Sequence, residues 1–148
     1  LYSLALEKAP LDPDLWIDRA FARAEAERFW DALTDLDQAS KLAPNRAEPH
    51  IYRASAHKAL GQPRQALADL ERALELRPDD PQAVLLRGNV KAESGDLAGA
   101  EADWTLTQRL DKDDRGFGRS AAANLERLKA QGLPPKPSTP QNAEKIKP

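Results

Sequence analysis

The sequence predicts an all-α solenoid built from helical hairpins, and three observations lead to this fold class. Ala32, Ala66 and Ala100 stand 34 residues apart, and many other positions repeat with the same period. Each period contains two stretches whose apolar residues follow helical spacing. Small residues such as Ala20 and Ala54 recur where two helices must approach to about 8–10 Å. Because one hairpin cannot bury its apolar face alone, we expect a stack of hairpins that exposes a binding surface.

The chain is predicted to start inside a repeat. Tyr2 and Ala5 precede Leu36 and Ala39 by 34 residues, so residues 1–10 match the end of a second helix. The chain contains no methionine, not even at position 1. We therefore expect it to be a piece of a longer protein.

Repeat 1 is assigned to residues 11–44. Asp12 is a good N-cap and Pro13 is tolerated in a first turn, so the first helix is predicted to begin here. The second helix is predicted to begin near Trp30 or Asp31 and to stop at Pro44.

Repeats 2 and 3 are assigned to residues 45–78 and 79–112. Helices are predicted from about Ala47 to Leu60 and then to Leu76 in repeat 2. In repeat 3 the first helix opens at Asp80, and the second runs over residues 97–110.

The turn inside each hairpin is predicted to need a left-handed residue. Gly61 and Gly95 suit that conformation because they carry no Cβ. Glu27 holds the same place in repeat 1, where we expect a strain of about 1 kcal/mol relative to glycine.

The repeat pattern ends after residue 112. Asp113 and Asp114 are predicted to cap a last helix that covers the end of the solenoid, within residues 113–132. Its apolar face would be formed by Phe117, Ala121, Leu125 and Leu128. Residues 133–148 hold five prolines and few apolar residues, so a disordered or extended tail is expected.

The repeats resemble the tetratricopeptide repeat family, whose pattern is W-x2-L-G-x2-Y, then A-x3-F, then P. Repeat 1 matches it with Trp16, Ala20, Ala32, Leu36 and Pro44. Repeat 2 has His50, Ala54, Ala66, Leu70 and Pro78, and repeat 3 has Val84, Gly88, Ala100 and Trp104, with Lys112 in place of proline. The resemblance covers about residues 1–112 and implies a helical-hairpin solenoid used for protein binding.

Composition argues against several classes of partner and cofactor. A net charge of -2, with 31% charged residues, gives no general affinity for nucleic acid. The absence of cysteine excludes disulfides and thiolate chemistry but leaves the compartment open between cytoplasm and periplasm. No apolar run reaches membrane-spanning length, so we expect a soluble protein without direct membrane insertion.

Arginine and aspartate form two columns that both recur every 34 residues. The columns are Arg19, Arg53 and Arg87 on first helices, and Asp35, Asp69 and Asp103 on second helices. One interpretation is an anion-binding arginine stripe. The favoured interpretation is a structural Arg–Asp ion pair within every repeat, because both columns share one period.

A third column is basic and holds Arg23, His57 and Lys91. The favoured interpretation is snorkelling along the helix surface, and the alternative is a basic patch for an acidic partner. His50 and His57 lie seven residues apart, too few and too far for zinc, so a packing or polar contact is expected.

No catalytic or cofactor pattern is visible in the sequence. Nothing places Ser, His and Asp together, and the glycines around Phe117 lack the context of a phosphate-binding loop. We therefore expect neither enzyme activity nor a cofactor or metal.

The resemblance implies that a concave groove along the first helices binds peptides. The aligned positions are Ile17 and Phe21 in repeat 1, Ile51, Tyr52, Ser55 and Lys58 in repeat 2, and Leu85, Leu86 and Asn89 in repeat 3. Most are apolar, so an apolar strip is predicted if they face water. The tail or another copy of the chain is an alternative occupant.

Chaperone-binding members of the family grip a terminal carboxylate with a set of Lys, Asn and Arg side chains. Ile17, Phe21, Tyr52, Gln82 and Leu86 stand at those places in this chain. We therefore expect no carboxylate-clamp chaperone binding.

The function predicted from the sequence is protein–protein interaction, as an adaptor or scaffold segment that binds a peptide or protein in the groove. Two alternatives stay open. One is a structural spacer or self-association piece, and the other is a regulatory domain of an enzyme whose catalytic part lies elsewhere.

Overall fold

The computed structural model describes residues 1–132, which form eight α-helices and contain no strand. The helices are α1 (Tyr2–Lys8), α2 (Pro13–Glu25), α3 (Phe29–Leu42), α4 (Glu48–Ala59), α5 (Pro63–Leu76), α6 (Pro81–Glu93), α7 (Leu97–Leu110) and α8 (Phe117–Ala130). The predicted all-α class is confirmed. The tail predicted for residues 133–148 lies outside the described residues.

The helices pack in chain order as a helical repeat solenoid. Three hairpins, α2–α3, α4–α5 and α6–α7, stack so that α3 meets α4 and α5 meets α6. Helix α1 packs on α2, and α8 packs on both α7 and α6. The apolar core accordingly lies between neighbours, as in the cluster of Ile51, Leu70 and Val90 that joins α4, α5 and α6.

Aspartate caps and prolines begin the first helices of repeats 1 and 3, as the sequence predicts, whereas α4 follows Ala47 and has no side-chain cap. The Asp12 carboxylate accepts a hydrogen bond from the Asp14 amide at 2.9 Å. Asp80 accepts bonds from the amides of Gln82 and Ala83. Each cap satisfies amide groups that the first helical turn leaves without a partner.

The three hairpin turns share one left-handed residue, and this prediction is confirmed. Gly61 has φ of 68° and Gly95 has φ of 89°. Glu27 has φ of 56°, although it carries a Cβ. The amide of Arg28 then donates to the carbonyl of Arg23 at 2.8 Å, which closes the turn.

The predicted start of the last helix is wrong. Helix α8 begins at Phe117 after Gly116, and neither Asp113 nor Asp114 caps it. The Asp111 carboxylate accepts from the Gly118 amide at 2.8 Å instead. Backbone hydrogen bonds to that carboxylate hold the pKa of Asp111 below its ordinary value.

None of the helices in residues 1–132 is long and apolar enough to cross a bilayer.

Candidate binding face

The first helices of the hairpins form the inner layer of the solenoid. Helices α2, α4, α6 and α8 contact one another in sequence, from α2 with α4 to α6 with α8. Within residues 1–132, no Cα atoms of α3 and α5, or of α5 and α7, come within 8 Å of each other. Because the inner helices are closer together than the outer ones, the stack curves around them. We call this inner surface of α2, α4, α6 and α8 the first-helix face.

The apolar strip predicted along this face is wrong in part, because two of its members are buried. Ile51 is 2% exposed and belongs to the core between repeats 2 and 3. Ile17 occupies the equivalent position in repeat 1 and is 8% exposed. This column points between adjacent helices rather than out of the groove.

The other predicted residues of repeats 1 and 2 differ in their surroundings. Phe21 is 58% exposed on α2, and Ser55 is exposed at the equivalent place on α4. Tyr52 is half-buried and packs on the cluster of Ala20 and Leu36, so it belongs to the joint between repeats 1 and 2.

In repeat 3, two predicted leucines are partly buried in the core. Leu85 packs against the cluster that contains Trp104 and Leu128, whereas Leu86 packs against the core between repeats 2 and 3. The remaining two predicted residues, Lys58 and Asn89, line an open cleft.

This cleft lies on the first-helix face where α4, α6 and α8 meet the start of α7, and its volume is about 430 Å³. Its apolar lining consists of Ala92, Leu97, Trp104 and Leu128, and its polar lining of Lys58, Asn89, Glu93, Asn124, Arg127 and Gln131. We call it the α6–α8 cleft. It combines an apolar surface with several polar groups that can orient a ligand.

A chain of hydrogen bonds crosses the α6–α8 cleft. Trp104 Nε1 donates to Asn89 Oδ1 at 2.9 Å. Asn124 Nδ2 donates to the same oxygen at 2.9 Å, and Asn124 Oδ1 accepts from Arg127 Nη2. These bonds tie α6 to both α7 and α8 and fix the orientation of both amides.

Gly88 makes room for Trp104 beneath the cleft. A Cβ on Gly88 would lie 2.9 Å from Trp104 Cδ1 and from Trp104 Nε1. The equivalent small residue in repeat 2 is Ala54, and it faces the smaller Leu70. The glycine and the tryptophan therefore form a compensating pair that is specific to repeat 3.

The Arg and Asp columns meet inside each repeat. In repeat 1, Arg19 Nε and Nη2 donate to the two oxygens of Asp35 at 3.0 and 2.7 Å. Arg87 grips Asp103 in the same bidentate way, at 2.9 and 2.7 Å. The hydrogen bonds that Arg19 donates to the Asp35 carboxylate raise the pKa of Arg19.

Repeat 2 has the same pair and an additional link between repeats. Arg53 Nη2 lies 2.5 Å from Asp69 Oδ1, and Arg53 Nη1 lies 2.7 Å from Asp37 of the preceding repeat. Arg19 makes the corresponding contact one repeat earlier, with Ser3 Oγ at 3.3 Å. With their guanidinium groups engaged in this way, the arginines do not form an open anion stripe.

Neither interpretation of the basic column is right. Arg23 Nη1 lies 2.7 Å from Asp35 Oδ2, and Lys91 Nζ lies 2.9 Å from Asp103 Oδ2. These side chains neither snorkel nor form a patch, because each is a second cation on its repeat's buried aspartate. Two basic residues four apart on one helix lie one turn apart, so both reach the same carboxylate.

The two histidines also approach the aspartate of their repeat. His57 Nε2 lies 3.6 Å from Asp69 Oδ2, and His50 Nδ1 lies 4.0 Å from Asp69 Oδ1. Burial lowers the pKa of His50, and the positive charge of Arg53 acts in the same direction. Among the described residues, no group of three or more His, Asp or Glu side chains is placed to hold a metal ion.

The sequence profile of the tetratricopeptide repeat family matches residues 47–90, which span α4, α5 and most of α6. Residues 47–90 therefore contain tetratricopeptide repeat sequence. The family resemblance seen in the sequence is thereby confirmed. No curated protein matches the sequence.

Several solved structures share the tetratricopeptide fold of this chain. The Yersinia enterocolitica type III secretion chaperone SycD, in complex with a peptide of the translocator YopD, is 18% identical with a TM-score of 0.73, covering 81% of this chain and 94% of that chain. The yeast Sti1 TPR2B domain in its pHsp70 complex is 17% identical with a TM-score of 0.75, and the match covers 80% of this chain and 97% of that chain. The Arabidopsis OM64 TPR domain is 21% identical with a TM-score of 0.69, and the match covers 78% of this chain and 94% of that chain.

At these identities the likeness shows the fold alone, and two of the three neighbours are complexes. The expected absence of carboxylate-clamp binding is not supported by the comparisons, since one neighbour of this fold is a pHsp70 complex.

Sequence reasoning missed the half of the cleft that α8 and Trp104 supply. Asn124, Arg127, Leu128 and Gln131 follow the last complete repeat, so no 34-residue column points to them. The available signal was the spacing of Asn124, Leu128 and Gln131, which places them on one face of a helix.

Proposed function

We propose that this tetratricopeptide solenoid is a protein-interaction module and that the α6–α8 cleft on its first-helix face binds a peptide segment of the partner. Its role is binding rather than catalysis, as is general for this fold. The observation that carries the proposal is the open cleft itself, which combines an apolar floor with hydrogen-bonding groups in fixed orientations.

The size and lining of the cleft suit a few residues of a peptide. Ligand pockets commonly span about 300–1,000 Å³, and the α6–α8 cleft lies in that range at about 430 Å³. Asn89, Asn124 and Arg127 are hydrogen-bonded to one another or to Trp104 before a ligand arrives, so binding requires little ordering of these groups.

The proposal departs from the long apolar strip expected from the sequence. Ile17 and Ile51 are buried, and Phe21 lies two repeats away from Asn89. The cleft therefore replaces the strip as the principal site, and Phe21 becomes a candidate for a second, weaker contact of a longer peptide.

The test is a selection of displayed random peptides on the full chain, followed by titration of selected peptides against two variants. Ala92→Arg places a long side chain in the cleft, so we expect at least tenfold weaker binding. Ala68→Arg adds the same side chain at an exposed position on α5 and serves as the matched control. Selected peptides that bind Ala92→Arg as well as the unchanged chain would refute the cleft as the site.

A further inference from the structure

The α6–α8 cleft offers a hydrogen-bond donor at Asn89, because the oxygen of that side-chain amide is already used. The indole of Trp104 can only donate, and it donates to Asn89 Oδ1. Asn124 Nδ2 donates to the second lone pair of the same oxygen. Asn89 Oδ1 is therefore saturated, and Asn89 Nδ2 has no hydrogen-bond partner among the described residues.

The neighbouring amide is oriented in the same way. Asn124 Oδ1 accepts from Arg127 Nη2 while Asn124 Nδ2 is used on Asn89. The hydrogen bonds that run from Trp104 through the two asparagines to Arg127 thus use amide oxygens as acceptors and leave N–H groups for a ligand. A ligand group that meets Asn89 Nδ2 must supply an acceptor, because both lone pairs of Asn89 Oδ1 are already used.

The charges lining the cleft favour an anion. Lys58 Nζ is neutralised by Glu93 Oε1 at 2.8 Å across α4 and α6. Arg127 has no carboxylate partner within residues 1–132, where its one hydrogen bond goes to Asn124. Counting +1 for Lys58, −1 for Glu93 and +1 for Arg127, the lining carries a net charge of +1.

From the donor set and the charge, we infer that the α6–α8 cleft recognises a peptide segment in which an acidic side chain neighbours an apolar one. The acidic carboxylate accepts from Asn89 Nδ2 and Arg127, and the apolar side chain rests on Ala92, Leu97 and Leu128. This inference rests on the proposed peptide-binding function and adds the chemistry of the partner.

The first measurement compares peptides that differ only in charge. Peptides selected on the full chain, with both termini blocked, are synthesised with each Asp or Glu retained or replaced by Asn or Gln. We expect the acidic form to bind about tenfold more tightly, as a charge-assisted bond in a partly buried site implies. Equal binding of the two forms would overturn the inference, and so would binding that requires a free terminal carboxylate.

The second measurement locates the preference on named residues. Arg127→Gln is expected to reduce the tenfold preference to about twofold. Asn89→Asp keeps an oxygen for Trp104 and Asn124 but puts a negative charge in the donor position, so it is expected to remove the preference. Lys129→Gln is the matched control, because Lys129 lies on the same helix, pairs with Glu126 and does not line the cleft.

The outcomes separate this inference from the proposed function. One outcome is that selected peptides bind the Ala92→Arg variant more weakly and yet bind equally well in their acidic and amide forms. That result would leave the cleft as the site and refute the inference that the partner segment is acidic. A preference reduced equally by Lys129→Gln and Arg127→Gln would also refute it, since bulk charge would then be the cause. Failure of Ala92→Arg to weaken binding would refute the proposed function first.

Discussion

Adding one methyl group at Gly88 should destabilise the solenoid, although it converts a helical glycine into alanine. Gly88 lies inside α6, where this change ordinarily gains about 1 kcal/mol of helix stability. The new Cβ would lie 2.9 Å from two atoms of the Trp104 ring and 3.1 Å from Asp103 Cβ. Overpacking a core typically costs about 1–3 kcal/mol.

The packing cost outweighs the helix gain because the ring cannot move away freely. Trp104 is 6% exposed and its indole is anchored on Asn89. Setting a packing cost of about 2 kcal/mol against a gain of about 1 kcal/mol, we expect Gly88→Ala to lose about 1 kcal/mol. In a domain of this size that loss lowers the melting temperature by about 2–4 °C.

The sign of the effect should reverse when the ring is removed. Trp104→Leu recreates the pairing of alanine with leucine that Ala54 and Leu70 make in repeat 2. In that background Gly88→Ala is expected to stabilise by about 1 kcal/mol, so the two changes couple by about 2 kcal/mol.

The assay is urea unfolding followed by far-UV circular dichroism on the four chains of this double-mutant cycle. Ala68→Gly, at an exposed position of α5, gives the helix-propensity scale for this protein. Equal stabilisation by Gly88→Ala in both backgrounds would show that the Trp104 ring does not fill the space above Gly88.

Three further changes test the ion pairs, the histidine and the packing. Asp69→Asn should lower the free energy of unfolding by about 3 kcal/mol in chemical denaturation, because it leaves Arg53 without its buried partner. Asp37 is half-exposed, so Asp37→Asn should lower it by less than about 1 kcal/mol. Similar losses for the two variants would show that the buried pair is no more important than the exposed one. The pKa of His50 is lowered in the fold, so stability should fall as pH drops below the ordinary value of 6.5, where only the unfolded chain takes up the proton. His50→Val should weaken that pH dependence. An unchanged dependence of stability on pH would show that His50 is not its cause. Ala66→Leu should cost about 1–3 kcal/mol at a fully buried helix contact, while exposed Ala68→Leu should not; equal melting temperatures would count against the close contact.

The sequence was sufficient for features that repeat with the period of the fold. The helix pairs, the left-handed turns at Gly61 and Gly95, and even the left-handed Glu27 follow from 34-residue spacing and local backbone chemistry. Such features depend on residues close together in the chain, so a single sequence contains the information.

Features that depend on helix rotation could not be read in the same way. A rotation of a first helix by part of a turn decides whether Ile51 faces the groove or the core, and it faces the core. The basic column shows the same difficulty, because pairing Arg23 with Asp35 requires knowing which helix faces it. The α8 half of the cleft lacks a 34-residue signal, since α8 follows the last complete repeat.

The measurement that tests peptide recognition by the α6–α8 cleft most directly is nuclear magnetic resonance of side-chain amides in the ¹⁵N-labelled full chain. A selected peptide is titrated in, and the amide resonances of Asn89 and Asn124 are compared with that of Asn45, which lies in the loop between α3 and α4. Binding in the cleft predicts saturable shifts at Asn89 and Asn124 and none at Asn45. Saturable binding that leaves the Asn89 and Asn124 amides unchanged while shifting residues of α3 or α5 would contradict it.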